Sequence, residues 1–521
     1  MQNRFNLIDE PWIPAVGKGF TSLGDIFSDP DIPALGGNPV QKIALTKLLL
    51  AIGQAACTPE TTEELEQLDA ETFRTACRAY LEKWRESFWL FGEKPFLQMP
   101  AVRRLIEERK QTELKAAPAA PAKKKEAAEK LAEENALPRP IGTGFYPDLP
   151  AENNTILSQF QMAETSAPAE MALFVVTLMN FAFGGKRIEK NLSPLTPGFT
   201  GKSVSAKAGP SIGNFAGYLH SFLTGPTLTD TVLLNLLSRE QISANPYWKS
   251  GLGSPPWERM PEGEACPAAI SLKESYMATL LSLSRFVLLD GEGIYYVEGL
   301  QYPSHKEGWR EPGMTINDQE KQLKVLWIDP DKRPWRELPS MLAFLESSAN
   351  KGFECQFIKY GLERAKQRHQ QIGIWSGGLR VSANSGDQSV KQDNDFVESL
   401  FLFNSEAIDK NWYDRFRQEM ASLDQLSKRV YAATRSYFAK QNMDGGDLAS
   451  NASGLFWQLC ERRFQELVDA CYEPDKLPAI LKAIDSLALQ SYDAFCPKET
   501  ARQIDAWAEC RPNLSKHFIN N

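Results

Sequence analysis

Apolar residues recur at helical spacing in several segments of this chain, and polar or glycine-rich stretches separate those segments. Leu45, Leu48 and Ile52, for example, fall on one side of a helix. An amphipathic segment rich in aromatic residues, and an apolar segment that ends at two glycines, follow the same period. The pattern predicts four helices in the first half of the chain, over residues 40–57, 71–91, 170–183 and 230–237.

Shorter apolar runs rich in β-branched and aromatic residues predict β-strands further along the chain. These runs are 286–289, 294–297 and 324–328. Gly291 and Gly293 separate the first two runs, which predicts a β-hairpin there. A loop rich in glycine, serine and asparagine is predicted over 376–395.

From Phe396 to the end, the pattern is helical almost without interruption, with breaks at a pair of glycines and at several prolines. Apolar stripes such as Leu455, Leu459 and Leu467 suit a four-helix bundle. We therefore predict an α+β fold, in which a large mixed α/β N-terminal domain (1–394) precedes a C-terminal four-helix bundle (395–521).

One segment of the predicted N-terminal domain has a different composition. Residues 116–134 are almost entirely Ala, Pro, Lys and Glu, without an aromatic or β-branched residue, and so cannot form a core of their own. The composition predicts a solvated, partly helical insertion near 107–150. A second interpretation is a mobile loop that becomes ordered on a partner.

Composition and charge limit the classes of function. The 521 residues carry a net charge of −8, whereas a free-standing DNA-binding protein is usually basic. Nucleic-acid binding would therefore use local patches within a larger assembly. The eight cysteines form no C-x-x-C pair, which argues against a zinc knuckle and suits a reducing cytoplasm. We predict no signal peptide and no membrane span, since the longest apolar stretches are too short.

A partial phosphate-loop motif gives an alternative, enzymatic hypothesis. Gly201, Lys202 and Ser203 match the end of that motif, but Thr196 stands where its first glycine is required. Asp290 follows an apolar strand, as the magnesium-binding aspartate of such enzymes does. A nucleotide hydrolase that uses Lys202, Ser203 and Asp290 is thus the alternative function, although an Asp-Gly hairpin explains Asp290 equally simply.

Other catalytic patterns are weaker. Gly209-Pro210-Ser211-Ile212-Gly213 matches a nucleophile elbow by its letters, but no apolar strand precedes it, so we interpret Ser211 as a loop residue. No metal-binding spacing and no distinct acid–base pair is present in the sequence. We therefore predict no catalytic residue, no metal site and no cofactor.

Two loops are better candidates for a binding site. The segment 184–210 holds five basic residues and one acidic residue, with glycines that allow the backbone to approach a ligand closely. Contact with phosphates and a solvated surface loop are equally good interpretations of it. The segment 376–395 is rich in amide and hydroxyl side chains, which can donate to acceptors in the minor groove of DNA. On its own, it is also explained as a flexible hairpin.

Five short segments spread over the chain carry a resemblance to a known family. They are Phe5–Pro14, Lys94–Gln98, Pro197–Gly201, Thr231–Leu237 and Gly377–Arg380. With the helical C-terminal quarter, they resemble, in the same order, the large subunit of the subtype I-E Cascade complex, the CasA family. The first and fourth segments are the most specific.

The resemblance implies a non-catalytic subunit of a CRISPR RNA-guided surveillance complex. Such a subunit reads the protospacer-adjacent motif in double-stranded DNA through the minor groove, begins duplex opening for R-loop formation, and helps to recruit a helicase-nuclease. The implied partners are the other Cascade subunits, the 5′ handle of the guide RNA, the target DNA and the helicase-nuclease. A plain interaction scaffold without DNA contact is a third hypothesis.

The resemblance also assigns candidate residues. The glycine loop against the groove corresponds to Gly198, Phe199, Thr200, Gly201 and Lys202. The strand-separating wedge corresponds to residues 380–388, with Gln388 as its tip, Asn384 second, and Ser385 between them. Phe145, followed by Tyr146, corresponds to the contact with the guide RNA or its cap subunit. The family's groove lysine would fall near Gly291 and Glu292, where this chain has none; Lys202 and Lys306 are the alternatives.

Overall fold

The computed structural model describes most of the chain. The described residues are 4–116, 122–142, 145–146, 167–181, 192, 194–197, 217–291, 293–303, 305–317, 323–345, 353–384, 387–389 and 395–514. Two compact units are defined by internal contacts. The first comprises Met1–Pro330, Cys355–His369 and Ile374–Ser399, and the second comprises Asp331–Glu354, Gln370–Gly373 and Leu400–Asn521.

Helices form most of the regular structure in the first unit. In chain order they are α1 (Leu23–Ile26), α2 (Pro39–Ala56), α3 (Thr62–Gln67), α4 (Ala70–Lys83), α5 (Ala101–Ala116), α6 (Ala122–Ala136), α7 (Pro168–Asn180), α8 (Leu228–Leu234), α9 (Arg239–Ser243), α10 (Pro267–Lys273), α11 (Met277–Leu280) and α13 (Gln356–Arg368). The short α12 (Leu338–Met341) belongs to the second unit.

The strands of the described chain form small sheets and hairpins. They are β1 (Ile13–Ala15), β2 (Gly19–Thr21), β3 (Arg139–Pro140), β4 (His220–Thr224), β5 (Arg285–Asp290), β6 (Gly293–Glu298), β7 (Thr315–Asn317), β8 (Lys324–Val325), β9 (Glu354–Cys355), β10 (Gln371–Leu379), β11 (Ser382–Asn384), β12 (Asp387–Ser389) and β13 (Phe396–Asn404). Their orders are β1-β2, β13-β10-β4, β11-β12, β3-β6-β5 and β8-β7-β9.

Helix α2 packs against several other helices in the core of the first unit. The residues at its N-terminus explain why the helix begins there. Asn38 accepts a hydrogen bond from the Gln41 backbone N–H and so caps the helix, and Pro39 suits the first helical position. Most of its residues are buried, including the charged Lys47. The helices predicted over 40–57, 170–183 and 230–237 are confirmed as α2, α7 and α8, with small shifts of their ends.

The predicted β5–β6 hairpin is confirmed. Its strands pair antiparallel from Arg285 opposite Glu298 to Asp290 opposite Gly293. Gly291 has a φ of +59°, a conformation that a residue without Cβ adopts readily. The buried Arg285 Nη1 lies 3.0 Å from Glu298 Oε1, so an ion pair joins the two strands at the open end.

Three predicted boundaries are wrong. The helix predicted over 71–91 ends at Lys83, and a separate 3₁₀ turn, Arg85–Ser87, follows it. The loop predicted from residue 376 begins only after β10, because residues 376–379 pair within a sheet. The helical pattern predicted from residue 396 begins only at Lys410, since residues 396–404 form β13.

The second unit is mainly helical, as the sequence predicts. Its long helices are α14 (Lys410–Lys440), α15 (Gly446–Glu461), α17 (Leu477–Phe495) and α18 (Ala501–Cys510), with the shorter α16 (Phe464–Ala470) between them. Trp412, Phe416 and Phe464 pack together in its core. A helical C-terminal region is therefore confirmed, whereas the domain boundary between residues 394 and 395 stays a prediction.

The low-complexity insertion contains two helices, α5 and α6, that pack on each other. Both ends of this pair are tied to the β5–β6 hairpin. Before α5, the Met99 N–H donates to the Val287 carbonyl at 2.9 Å. After α6, the Tyr295 hydroxyl donates to the Ala136 carbonyl at 3.1 Å, and β3 pairs with β6.

One buried carboxylate connects separate elements of the first unit. Glu311 Oε2 lies 2.9 Å from Lys47 Nζ on α2 and 3.1 Å from His220 Nε2 on β4. Trp309 Nε1 donates to the other carboxylate oxygen at 3.3 Å. Burial by itself raises the pKa of Glu311, but the charge of Lys47 and the hydrogen bond with His220 outweigh it and lower the pKa from 4.5 to about 2.

The Glu311→Gln variant should unfold more easily at neutral pH, by about 3 kcal/mol, because it leaves the buried Lys47 without a counter-charge. Equilibrium unfolding in urea measures the loss. The wild-type contribution is present above pH 4.5 and falls as pH drops toward 2, since the native carboxylate has the lower pKa. The difference in unfolding free energy between wild type and Glu311→Gln should therefore become smaller as the pH falls from 4.5 toward 2.

The matched control is Asp29→Asn, which breaks an ion pair with Lys18 at the surface. That variant should unfold at nearly the wild-type urea concentration, because solvent screens exposed pairs. Equal midpoints for Glu311→Gln and wild type at pH 7 would contradict the proposed role of Glu311.

Candidate nucleic-acid interface

The predicted wedge segment contains a small β-hairpin. Asn384 on β11 pairs with Asp387 on β12, and Ala383 pairs with Gln388. Asn384 is thus in the pair nearest the turn, and Gln388 is one pair further from it. Ser385 lies outside the described residues, as do the side chains of both strands. The backbone favours Asn384 over Gln388 as the described residue closer to the tip.

An ion pair closes the base of this hairpin. Arg380 donates to Asp395 Oδ1 from Nε at 3.0 Å and from Nη2 at 2.8 Å. The Arg380 backbone N–H also donates to the Asp395 carbonyl at 2.9 Å. The Asp395 side chain is fully buried, whereas that of Arg380 is 41% exposed. Residues 380 and 395 are therefore held together while the chain between them leaves the sheet.

The first described residue after the predicted glycine loop lies beside the base of that hairpin. Residues 198–202 themselves lie outside the described residues. The described chain resumes at Gly217, where an added Cβ would lie only 2.0 Å from the Leu379 carbonyl oxygen. Because Arg380 follows Leu379, Gly217 contacts the chain immediately before the base of the hairpin.

The other stem of the glycine loop is also held. Leu195 and Thr196 are buried, and the Leu195 carbonyl accepts a hydrogen bond of 2.7 Å from the Glu264 N–H. Gly263 lies so close to Pro194 and Leu195 that a side chain there would press on their backbone. The chain is therefore fixed up to residue 197, immediately before the predicted glycine loop.

Phe145 and Tyr146 pack within the chain. The Phe145 ring lies 5.1 Å from the Tyr296 ring on β6, and the Tyr146 ring lies 4.6 Å from the Phe174 ring on α7. Both side chains are half-buried. The structure thus places Phe145 against β6 and Tyr146 against α7.

The residues of the alternative hydrolase do not form a described site. Asp290 ends β5 in an antiparallel hairpin, and its carboxylate lies 2.7 Å from an Arg103 guanidinium nitrogen. Lys202 and Ser203 lie outside the described residues. Asp290 therefore has a hairpin position and an ion-pair partner, as the simpler interpretation of the sequence predicts.

Sequence reasoning missed the residues that position the two loops. The Arg380–Asp395 pair is visible in the sequence only as opposite charges at the two ends of a polar loop, which is a weak signal. The close contact of Gly217 with Leu379 has no local signal, because the two residues are far apart along the chain.

Comparison with known proteins identifies the family of this chain. The family model described as CRISPR-associated protein Cse1 matches residues 6–491. The chain belongs to the Cse1 family. The Cse1, or CasA, resemblance found in the sequence is thereby confirmed, and the protein is a CasA-family large subunit of the type I-E Cascade kind.

Solved structures of other Cse1 proteins share the fold. CasA (Cse1) of Thermus thermophilus is 19% identical with a TM-score of 0.67, over 97% of this chain and 98% of that one. Cse1 of Thermobifida fusca is 16% identical with a TM-score of 0.68, over 98% of each chain. A chain of a CRISPR RNA-guided surveillance complex is 14% identical with a TM-score of 0.63, over 98% and 99%. No curated protein matches this chain significantly.

Three further findings concern the cysteines, possible metal ligands and possible membrane-spanning helices. All eight cysteines of this Cse1 protein are free thiols. Within the part of the chain that the structure describes, no three His, Cys, Asp or Glu side chains gather as metal ligands would. None of the described helices is long and apolar enough to cross a membrane.

The Arg380→Ala variant should loosen the wedge hairpin, because it leaves the buried Asp395 carboxylate without its arginine. We expect the backbone amides of β11 and β12 to exchange with solvent roughly tenfold faster. Hydrogen–deuterium exchange followed by mass spectrometry measures this change. Lys428→Ala, which breaks an exposed ion pair with Asp424 on α14, is the matched control. Unchanged exchange in Arg380→Ala would show that the ion pair does not hold the hairpin.

Proposed function

We propose that this Cse1-family subunit recognises the protospacer-adjacent motif in double-stranded DNA through the minor groove and begins duplex opening for R-loop formation. The observation that carries the proposal is the contact of Gly217, the first described residue after the glycine loop, with Leu379, which immediately precedes the base of the wedge hairpin. A glycine loop whose chain returns at this place could act on the same stretch of duplex as the wedge hairpin.

The chemistry of each loop suits a separate part of this task. Glycines in 198–201 would let the backbone approach the groove, with Phe199, Thr200 and Lys202 beside it. The amides of Asn384 and Gln388 can donate to the acceptors of the minor groove, whose pattern is degenerate. An inserted wedge costs a few kcal/mol in lost base stacking. Pairing of the guide RNA with the target strand would offset that cost.

The proposed role is non-catalytic and depends on partners. We propose that the subunit works in the cytoplasm with the other Cascade subunits and the 5′ handle of the guide RNA, and that it helps to recruit a helicase-nuclease. The net charge of −8 supports this dependence, since binding of DNA by the isolated chain would be weak and sensitive to salt.

The first experiment measures target-DNA binding by the reconstituted guide complex, with and without this subunit. The duplexes differ only in the motif beside the target. Binding should depend on the motif only when the subunit is present. The double variant Gly198→Val/Gln388→Ala should lose most of the discrimination, because it blocks the close backbone approach and removes an amide donor.

The matched control is Gln490→Ala, which removes an exposed glutamine from α17 in the second unit. It should bind and discriminate as wild type does. Equal binding and discrimination without the subunit would refute the proposal. ATP hydrolysis that disappears in Lys202→Ala would instead support the nucleotide hydrolase, and unchanged DNA affinity in the loop variants would support the plain scaffold.

Phe145 gives a separate test of the guide-RNA contact. Its half-buried ring can pack on a base or in a pocket of a partner subunit, so Phe145→Ala should weaken incorporation of the subunit into the guide complex by about tenfold. A pull-down titration measures the change. Phe145→Tyr, which keeps the ring, and Leu131→Ala, at an exposed position of α6, should assemble normally. Normal assembly of Phe145→Ala would rule out the contact.

A further inference from the structure

A surface cleft of about 500 Å³ lies in the first unit, apart from the predicted loops. The chain segments around residues 246–249, 270–275 and 301–310 line it. Its volume is within the range of sites that hold small ligands. Four aromatic side chains form much of its wall: Tyr247, Trp248, Tyr302 and Trp309.

The Arg310 guanidinium lies over the face of the Tyr247 ring in this cleft, and this stacked pair is called the platform below. The Arg310 guanidinium carbon lies 4.7 Å from the centre of the Tyr247 ring, and the tyrosine is 40% exposed. Arg310 Nη1 donates to the carbonyls of His305 at 2.9 Å and Trp309 at 3.0 Å, which fixes the guanidinium in position. Aromatic rings and arginine planes of this kind are the surfaces on which nucleic-acid bases stack.

The cations of the cleft can take up an anion close to that platform. Among the described residues, Arg310 Nε and Nη2 have no hydrogen-bond partner, and Lys249 has no ion pair. Lys273 also lines the cleft, 3.5 Å from Glu264. Glu274 and Glu307 line it too, so the cleft does not attract anions by net charge alone. A ligand with both a planar ring system and a phosphate fits it better than a bare anion does.

The cleft is joined to both stems of the glycine-loop segment. Glu264, which faces Lys273, donates its backbone N–H to Leu195 in the first stem. At the second stem, the Tyr218 hydroxyl lies 3.3 Å from His305 Nδ1, and Arg310 binds the His305 carbonyl. Two residues of the cleft, Lys273 and Arg310, are therefore connected to the two stems through Glu264 and His305.

We propose that this cleft binds one nucleotide unit, with its base stacked on the Tyr247–Arg310 platform and its phosphate near Arg310 and Lys249. Two sources share this chemistry: a free nucleoside monophosphate and one residue of an unpaired strand. The proposal does not rest on motif recognition, and its test uses the isolated full-length chain instead of the reconstituted complex. Failure of either proposal is therefore distinguishable from failure of the other.

The test measures fluorescence anisotropy of a labelled hexathymidylate with the full-length chain at low salt. Thymidine monophosphate, inorganic phosphate and a blunt duplex are the competitors. Tyr247→Ala should weaken binding by about tenfold, because it removes the stacking surface. Lys249→Ala should weaken it by a smaller factor, and Tyr247→Phe should bind as wild type does, since it keeps the ring.

The matched controls lie far from the cleft along the chain. Phe20→Ala removes an exposed aromatic ring from β2, and Lys482→Ala removes an exposed lysine from α17. Both should leave binding unchanged. Because Tyr247 is exposed, loss of its ring should not unfold the protein, and a wild-type urea midpoint would check this.

The competitors distinguish the two sources. Displacement of the oligonucleotide by thymidine monophosphate would support a free nucleotide, whereas displacement only by unlabelled single strand would support a strand residue. Equal binding by Tyr247→Ala and wild type would overturn the proposal. Displacement by inorganic phosphate as effective as that by the nucleotide would also overturn it, because it would show a simple anion site.

Discussion

The Glu311 carboxylate is bound by side chains from α2, from β4 and from the chain immediately before it. Lys47 and His220 reach it from elements that are far apart in sequence, and Trp309 donates to its second oxygen. Burying a carboxylate lowers the stability of a protein unless such partners surround it. Burying each of the partners would likewise lower the stability if the carboxylate were absent. Neither α2 nor β4 can shift without taking a partner away from this buried carboxylate. The network therefore specifies where β4 lies.

The position of β4 determines where the candidate DNA loops begin. Gly217 precedes this strand and packs against Leu379 at the end of β10, where only a residue without a side chain fits. Gly378 is similarly close to the Ile328 side chain, with a φ of +157°. These tight contacts fix the stems of two polar segments. The residues within the segments are then available for binding. Rigid stems of this kind reduce the entropy that a loop loses on a ligand.

Periodicity in the sequence was sufficient for elements with one clear apolar face, such as α2, α7 and the β5–β6 hairpin. It failed for β10, whose Ser376, Gly377 and Gly378 are typical of a loop. Gly377 is there because a side chain would meet the Val397 carbonyl of the neighbouring strand, a contact that no local pattern reports. Composition indicated the two candidate loops, and the resemblance to a family assigned their roles and residues, but neither supplied the Arg380–Asp395 pair that closes the hairpin.

Charge counts along the chain also predict poorly which cations can meet a nucleic acid. On α13, Arg364 donates to the carbonyls of Leu234, the last residue of α8, and of Leu236 just after it, and burial lowers its pKa to about 10. Arg368, one turn later, donates to three carbonyls where α3 ends. Cations at such positions satisfy carbonyl groups that a helix end leaves open.

Lys47, Arg285 and Arg364 are buried and contribute nothing to an outer surface, and Arg368 is partly buried. The net charge of −8 disfavours long-range attraction of DNA, but it does not show where the cations that could contact a nucleic acid lie, because it sums interior and surface groups alike. Binding of a nucleic acid depends on where the cations without a carboxylate partner lie. Among the described residues, Arg310 is such a cation. It lies against an exposed aromatic ring, so its charge and that ring present one surface to a ligand. Local geometry, more than overall charge, would thus allow an acidic protein such as this one to bind the proposed nucleotide.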